Sequence, residues 1–166
     1  LERALGELYD HHAHLGTNTR QSPRLVPSQT DLIAMWSDGR AIIAAVRADS
    51  AAERAGVQRG MQVLAIDGER VETAVDRMTP KYLQRDDPAA RTWALQTALA
   101  GRHERATIRL RTRLGDSIRE FEFAPTYPAP TSLLTHRTVG NVGVVHIHHS
   151  LGQQALVAQF DQALAE

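Results

Sequence analysis

Residues 50–71 restrict what this chain can fold into more than any other stretch of it. Ser50 and Glu53 have the Ser-x-x-Glu spacing of a capping box, in which each side chain accepts a hydrogen bond from an N–H at a helix start. A glycine follows where a helix can end in a left-handed residue. An apolar run then leads to Asp67 and Gly68, a pair typical of a tight β-hairpin. The stretch predicts a short capped helix, a turn, a buried strand and a hairpin.

The order of these elements resembles a PDZ domain of the bacterial type. The positions that match the family's run of small, glycine and apolar residues are Ala51, Ala52, Ala55, Gly56, Val57, Gly60, Met61, Val63, Ile66, Gly68 and Val71. Met61 is the one notable departure, because the family usually carries aspartate there. The resemblance implies an α+β fold, a PDZ-like, partly open β-barrel of five or six strands with two packed helices.

Hydrophobic periodicity and turn residues predict the other elements. An amphipathic helix ends near Leu8, and another begins at Pro88 after Asp87 as N-cap and closes at Gly101. Strands are expected at residues 31–36, 41–46, 106–112, 118–123 and 142–149, a short helix at 76–84 and a linker at 125–130. A last helix over 152–165 is expected to pack four apolar side chains inward, namely Leu156, Val157, Phe160 and Leu164.

Composition excludes several classes of protein. Lys plus Arg equals Asp plus Glu, 19 of each, so the charge balance gives no reason to expect nucleic-acid binding. No apolar run approaches the roughly 20 residues of a membrane-spanning helix. The absence of cysteine excludes disulfides, thiolate metal sites and cysteine nucleophiles. The chain begins without methionine or an apolar leader, and we expect it to be a piece of a longer protein.

The flanks of the PDZ-like region resemble C-terminal-processing, or tail-specific, serine peptidases, a family that includes tricorn-like enzymes. Before the region, Leu8, Asp10, His12 and Leu15 match the family's Leu-x-Asp-x-His-x-x-Leu element. After it, residues 139–147 resemble the strand that opens the family's catalytic domain. The resemblance implies three segments. Residues 1–24 form the end of an N-terminal helical region and its connection, and residues 25–125 form the PDZ-like domain. Residues 126–166 form a linker followed by the first strand and helix of a truncated catalytic domain.

This parentage implies a function for the chain. It would recognise protein or peptide substrates and gate an active site whose nucleophilic serine and general-base lysine lie in the remainder of the parent chain. Lys81, the single lysine here, lies in a polar neighbourhood unsuited to a desolvated base. No catalytic residue or cofactor is therefore expected in this chain, which should be inactive alone. The resemblance also implies a periplasmic or secreted protein of the bacterial envelope.

A PDZ groove binds an extended peptide by strand addition beside a helix. By resemblance, the strand edge comprises Asp31, Leu32, Ile33, Ala34 and Met35, and the helix contributes Trp93, Gln96 and Thr97. In the family, main-chain N–H groups of a glycine-containing loop before the strand hold the carboxylate of a ligand. The loop here departs from that pattern, because it lacks glycine and Pro27 has no N–H to donate. Asp31 would also repel a ligand carboxylate, by about 4 kcal/mol for charges about 4 Å apart near a surface. Weak binding, binding of internal segments and a purely gating role stay open.

Histidine and arginine clusters have simpler explanations than binding sites. His146 and His148 would share one face of a strand, a spacing that metal sites use, but a strand covered by the catalytic domain explains them better. His11, His12 and His14 fall in the Asp-x-His element, where Asp10 and His12 are expected to fix a helix end. No metal site is predicted. Three arginines, Arg109, Arg111 and Arg113, are expected on the solvated face of a strand.

Two other parentages fit parts of the sequence. One is a stand-alone PDZ-type adaptor that tethers an extended segment of a partner without catalysis. The other is a PDZ unit of a trypsin-like envelope protease, which is disfavoured because a two-barrel catalytic domain would precede the unit, whereas the first residues here indicate a helix.

Overall fold

The structure is a computed structural model that describes residues 1–8, 10, 12, 27, 30–83, 85, 87–101, 107–125, 132–148 and 152–165. The chain forms two compact units, Leu1–Tyr127 and Pro128–Glu166. The first unit contains α1 (Glu2–Gly6), β1 (Leu32–Ser37), β2 (Arg40–Val46), α2 (Ala51–Arg54), β3 (Gln62–Ile66), β4 (Glu69–Arg70), α3 (Val71–Met78), α4 (Pro88–Ala100), β5 (Ile108–Leu114) and β6 (Ser117–Phe123). The second contains β7 (Leu134–Val139), β8 (Val142–Ile147) and α5 (Gln154–Ala165).

The first unit is built on an open antiparallel sheet of six strands. The strand order is β1-β2-β3-β5-β6, and β4 pairs with β3. Within the described residues, β1 and β6 therefore form the two ends of this order. The α+β class predicted from the sequence is confirmed, and the architecture is consistent with a PDZ-like fold. The limits of the three predicted segments stay a prediction.

The capping box at α2 forms with one change of partner. Ser50 Oγ accepts a hydrogen bond from Glu53 N at 3.1 Å, as the motif predicts. The Glu53 carboxylate, however, accepts from Asp49 N at 2.8 Å. Asp49 has a positive φ of 58°, which brings its N–H within reach of the first helical turn. The helix start is satisfied by the predicted side chains, with the reciprocal bond displaced by one residue.

The helix expected at 76–84 lies elsewhere, because α3 spans Val71–Met78. Val71, Ala74 and Val75 recur at helical spacing and are all buried. Strand β4 is two residues long and ends at Arg70. Helix α3 begins at the next residue and carries the buried side chains. The start of α4 is as predicted, since Asp87 Oδ1 accepts from Ala89 N at 2.9 Å and Pro88 takes the first position.

The core of the first unit lies between the sheet and helices α2, α3 and α4. Its largest fully buried apolar side chains are Leu32, Ile43, Met61, Val63, Val75, Leu95 and Leu110. Met61, the departure from the family pattern, is one of these. Its sulfur accepts from Gln58 N at 3.4 Å and from the buried Thr112 hydroxyl at 3.5 Å. A thioether therefore fills the position at which the family usually places a carboxylate.

The second unit corrects two expectations. The strand expected at 142–149 forms as β8, Val142–Ile147, but the resemblance to one strand over 139–147 is not followed, because Val139 belongs to β7 and pairs with Val142 across a turn at Gly140. Helix α5 forms near the predicted bounds, but among its described residues only Leu156 is buried. Val157, Phe160 and Leu164 are exposed, contrary to the predicted inward packing. A two-stranded hairpin is too narrow to cover the whole apolar face of a three-turn helix.

Within the described part of the chain, no helix is both long and apolar enough to cross a membrane. The predicted linker at 125–130 falls, apart from residue 125, outside the described residues.

Candidate functional site

Strand β1 directs alternate main-chain groups away from its partner β2. Asp38 and Gly39 have φ values of 48° and 72° and form a two-residue turn, so Ser37 and Arg40 flank it as a hydrogen-bonded pair. In an antiparallel pair, bonded and non-bonded positions alternate. Ala34 faces Ile43, whose own N–H and C=O bond to Met61 O and Gly60 N on the far side, at 2.9 and 2.8 Å. The main-chain groups of Ala34 and Trp36 therefore point outward from the sheet edge.

Helix α4 lies along this outward side, which we call the β1 edge (the side of residues 34–36 that faces away from β2). Two side chains join the helix to the strand. Gln96 Nε2 donates to Ala34 O, and Trp36 Nε1 donates to Arg91 O at 3.3 Å. The Arg91 guanidinium also lies 5.0 Å from the centre of the Trp36 ring, within cation–π range. The strand and the helix thus lie side by side and are joined at two points, and we call the region between them the groove.

The predicted site residues of β1 divide between the two faces of the strand. Leu32 and Ala34 are buried towards the core, whereas Ile33 and Met35 are 56% and 52% exposed on the outer face. This alternation follows from the period-two geometry of a strand. Only the exposed pair can offer side chains to a ligand, while Ala34 offers its main-chain groups.

The predicted residues of α4 also differ in what they can contact. Gln96 reaches across to β1, whereas Thr97 is buried and its hydroxyl donates to Trp93 O at 2.9 Å inside the helix. Trp93 is half-buried. Whether any of these residues binds a peptide stays a prediction.

Asp31 has a structural environment that the sequence did not reveal. Its side chain is buried, forms an ion pair with Arg47, and accepts from Ala52 N at 3.2 Å. Its main-chain oxygen accepts from Arg47 N at 2.8 Å. The ion pair with Arg47 reduces the repulsion that the sequence led us to expect between Asp31 and a ligand carboxylate. Whether a ligand carboxylate binds here stays a prediction.

Trp36 and Arg91 belong to the groove but were not among the predicted site residues. The signal for Trp36 was present, since it continues the alternation of Leu32 and Ala34 on one side of the strand. Arg91 carried no such signal, because its position beside β1 depends on how α4 packs. Of the loop before β1 at residues 25–29, the structure describes Pro27 alone.

Two histidines of the second unit, His146 and His148, lie close together without forming a recognisable ligand set. The rings of His146 and His148 are 4.4 Å apart, and His148 Nε2 lies 2.9 Å from Thr135 Oγ1. In the described ranges, no three His, Asp or Glu side chains are grouped so that they could hold a metal ion. His149 lies outside the described residues.

The Asp-x-His element forms a local contact. Asp10 Oδ1 accepts from His12 N at 2.8 Å and lies 3.1 Å from His12 Nδ1. Asp10 and His12 were expected to fix a helix end, but these two hydrogen bonds join only Asp10 and His12 to each other. His11, His14 and Leu15 lie outside the described residues.

The arginine row on β5 lies where the sequence placed it. Arg109, Arg111 and Arg113 alternate with buried residues on the exposed face of the strand. Arg111 Nε lies 3.8 Å from Glu120 Oε1 on β6. Opposite charges across neighbouring strands are typical of a solvated sheet face.

Comparison with known proteins finds a PDZ domain at residues 42–85, from β2 to just beyond α3. A PDZ domain suggests peptide binding, and hence peptide or protein partners. No curated protein matches the chain. Among solved structures, the chain is similar to an aminopeptidase N family protein from Idiomarina loihiensis, with a TM-score of 0.39 and 17% identity over 85% of this chain. The match covers 19% of that protein's chain, so this chain spans about a fifth of it.

Proposed function

We propose that the first unit binds an extended peptide segment by strand addition at the β1 edge, as the substrate-recognition and gating segment of a C-terminal-processing serine peptidase. The observation that carries the binding proposal is the outward direction of the Ala34 and Trp36 main-chain groups beside α4. A sheet edge that directs main-chain donors and acceptors outward is a template for another strand. The PDZ domain found at residues 42–85, between β1 and α4, supports peptide binding by this unit.

The two ends of the strand order differ in their fitness for strand addition. β6 carries charged side chains at Arg119, Glu120 and Glu122, and such residues discourage pairing at an edge. β1 has no charged residue over Leu32–Ser37. A ligand is therefore expected at β1 and not at β6.

The outer face of β1 also suggests what the ligand carries. A peptide paired with β1 would alternate its side chains between the two faces, and one set would lie beside Ile33 and Met35. Apolar and β-branched residues pack well in such cross-strand pairs, which contribute roughly 0.2–1 kcal/mol each. We therefore propose a ligand with apolar residues at alternate positions.

Recognition of a free C-terminal carboxylate is compatible with the paired state of Asp31. Because Arg47 pairs with that charge, the repulsion of a ligand carboxylate expected from the sequence is reduced. A peptide acid and its amide, compared at equal concentration, measure this point directly. Loss of affinity on amidation would indicate recognition of a chain end, and equal affinity would indicate internal segments.

The peptidase parentage rests on the flanks. Leu8, Asp10 and His12 resemble the family's element before its PDZ domain, and the segment after residue 139 resembles the opening of its catalytic domain. The exposed apolar residues Val157, Phe160 and Leu164 suit a helix that a catalytic domain would cover. In this proposal the serine and lysine lie outside residues 1–166, and the parent protein is exported to the bacterial envelope or secreted.

A pair of matched substitutions tests the binding site. Ile33→Lys places a charge on the outer face of β1, and Ile118→Lys makes the same change on β6, where the residue is 45% exposed. We expect the first to weaken binding of an apolar peptide by up to about fivefold per lost cross-strand pair, and the second to leave it unchanged. Isothermal titration calorimetry measures both. Equal effects, or a larger effect at Ile118, would contradict binding at β1.

A second assay tests the expected division of labour. The purified chain should release no product from an unfolded protein substrate, because the proposal places the nucleophile and base elsewhere. A full-length reading frame that encodes a glycine-rich segment with a serine soon after residue 166 would support the parentage. A stop codon or another binding module there would favour an adaptor.

A further inference from the structure

Gln96 spans the space between α4 and the β1 edge. Its side chain is half-buried, and its Nε2 donates a hydrogen bond to Ala34 O. That oxygen is one of the outward main-chain acceptors to which a strand added at the β1 edge would bond. The helix itself thus supplies a donor for the acceptor that a ligand requires.

The chemistry of this contact imitates a ligand. A glutamine side chain ends in a carboxamide, which carries the same N–H donor and C=O acceptor as a peptide bond. A carbonyl oxygen can accept two hydrogen bonds. A ligand backbone, however, must lie within about 5 Å of β1, which is the space that the Gln96 side chain crosses. The two groups therefore compete for position as well as for the acceptor.

We infer that Gln96 is an internal competitor that closes the peptide groove and must release Ala34 before a peptide can pair with β1. The inference rests on the proposed function, because it concerns the same groove. The second tie, from Trp36 Nε1 to Arg91 O, lies nearer the β1–β2 turn and holds α4 beside the strand when Gln96 is released.

The apparent peptide affinity equals the intrinsic affinity multiplied by the fraction of molecules in which Gln96 does not bond to Ala34. The net contribution of one neutral hydrogen bond corresponds to about a two- to tenfold change in such an equilibrium. Removal of the competitor should therefore raise peptide affinity by this factor. A residue that merely fastens the helix would have the opposite effect, because its loss would loosen the groove wall.

The experiment compares Gln96→Ala with wild type on the full 166-residue chain. The probe is a synthetic peptide of alternating valine and serine, as free acid and as amide, titrated by calorimetry. Tryptophan fluorescence gives a second readout, because Trp36 and Trp93, the two tryptophans, lie on β1 and α4. Acrylamide quenching before peptide is added reports how open the groove is, and thermal unfolding shows that each variant is folded.

Two further variants keep the test specific. Gln159→Ala makes the same change at an exposed position in the middle of α5 and should alter neither affinity nor quenching. Gln96→Glu keeps the size of the side chain, but an ionised carboxylate has no N–H to donate to Ala34 O. It should increase quenching as Gln96→Ala does.

The outcomes separate the inference from the function on which it rests. Tighter binding by Gln96→Ala by about two- to tenfold, with increased quenching, supports the competitor. Unchanged or weaker binding by a folded Gln96→Ala variant overturns it and leaves peptide binding intact. Binding of the probe by neither protein overturns the proposed function and the competition together.

Discussion

The replacement Asp31→Asn tests how the β1 edge is held in place. Asp31 is 3% exposed, and its two carboxylate oxygens contact separate elements. One oxygen pairs with Arg47 after β2, and the other accepts a hydrogen bond from Ala52 N in α2. Asparagine keeps the size of the side chain but loses the charge and one acceptor. The ion pair between residue 31 and the Arg47 guanidinium is then lost, and one of the two contacts of the side chain can no longer be made.

The structure sets the expected magnitude. Removal of one partner from a buried ion pair costs about 3–5 kcal/mol. The Arg47 side chain is 32% exposed, so water can solvate its charge and offset part of this free-energy loss. Charge-assisted hydrogen bonds are worth about 1.5–3 kcal/mol. We therefore expect Asp31→Asn to lower the free energy of unfolding by about 3 kcal/mol, within the span of these two ranges.

Urea unfolding followed by tryptophan fluorescence measures this change in the first unit alone, since Trp36 and Trp93 both belong to it. Asp38→Asn is the matched control, because Asp38 is exposed in the β1–β2 turn and asparagine tolerates its positive φ of 48°. The control should change stability by less than about 0.5 kcal/mol. If Asp31→Asn were no more destabilising than the control, the assigned role of Asp31 would be refuted.

Four further substitutions at three positions test the core and one turn. Leu95→Ala in α4 removes a fully buried side chain and should cost about 2–5 kcal/mol in the same urea assay, so a smaller loss would contradict the packing of α4 on the sheet. Gly68→Ala should cost about 1–2 kcal/mol, because φ is 84° while no atom lies within 4 Å of an added Cβ; a neutral result would show that the turn relaxes. Met61→Leu should cost less than about 1.5 kcal/mol, whereas Met61→Asp buries an unpaired carboxylate and should prevent folding as judged by circular dichroism. Equal stability of the two Met61 variants would contradict the burial of this position.

Local signals predicted most of the first unit. The Ser50 cap, the Asp67-Gly68 turn and the Asp87-Pro88 helix start each depend on contacts between residues near in sequence, and each is present in the structure. These features survive because the local preference and the packed core favour the same conformation.

Other features were missed because they depend on contacts across the fold. The pairing of Asp31 with Arg47 requires the register of β1 with β2, which a single sequence does not specify. The bond from Gln96 to Ala34 joins residues 62 positions apart. In the second unit, the sequence predicted β8 but not its partner β7, although Gly140 between them is a readable turn signal. The amphipathic pattern of α5 predicted an apolar face, but such a pattern does not reveal which part of a protein covers that face.

A peptide that pairs with β1 on the side away from β2 should protect the main-chain amides of Ala34 and Trp36, and amide hydrogen exchange measures this protection. Their N–H groups point outward from the sheet, so a saturating concentration of peptide should slow their exchange, while the amides of β6 exchange as before. Slower exchange confined to β6, or unchanged exchange at Ala34 and Trp36 under saturation, would show that the peptide does not pair with β1.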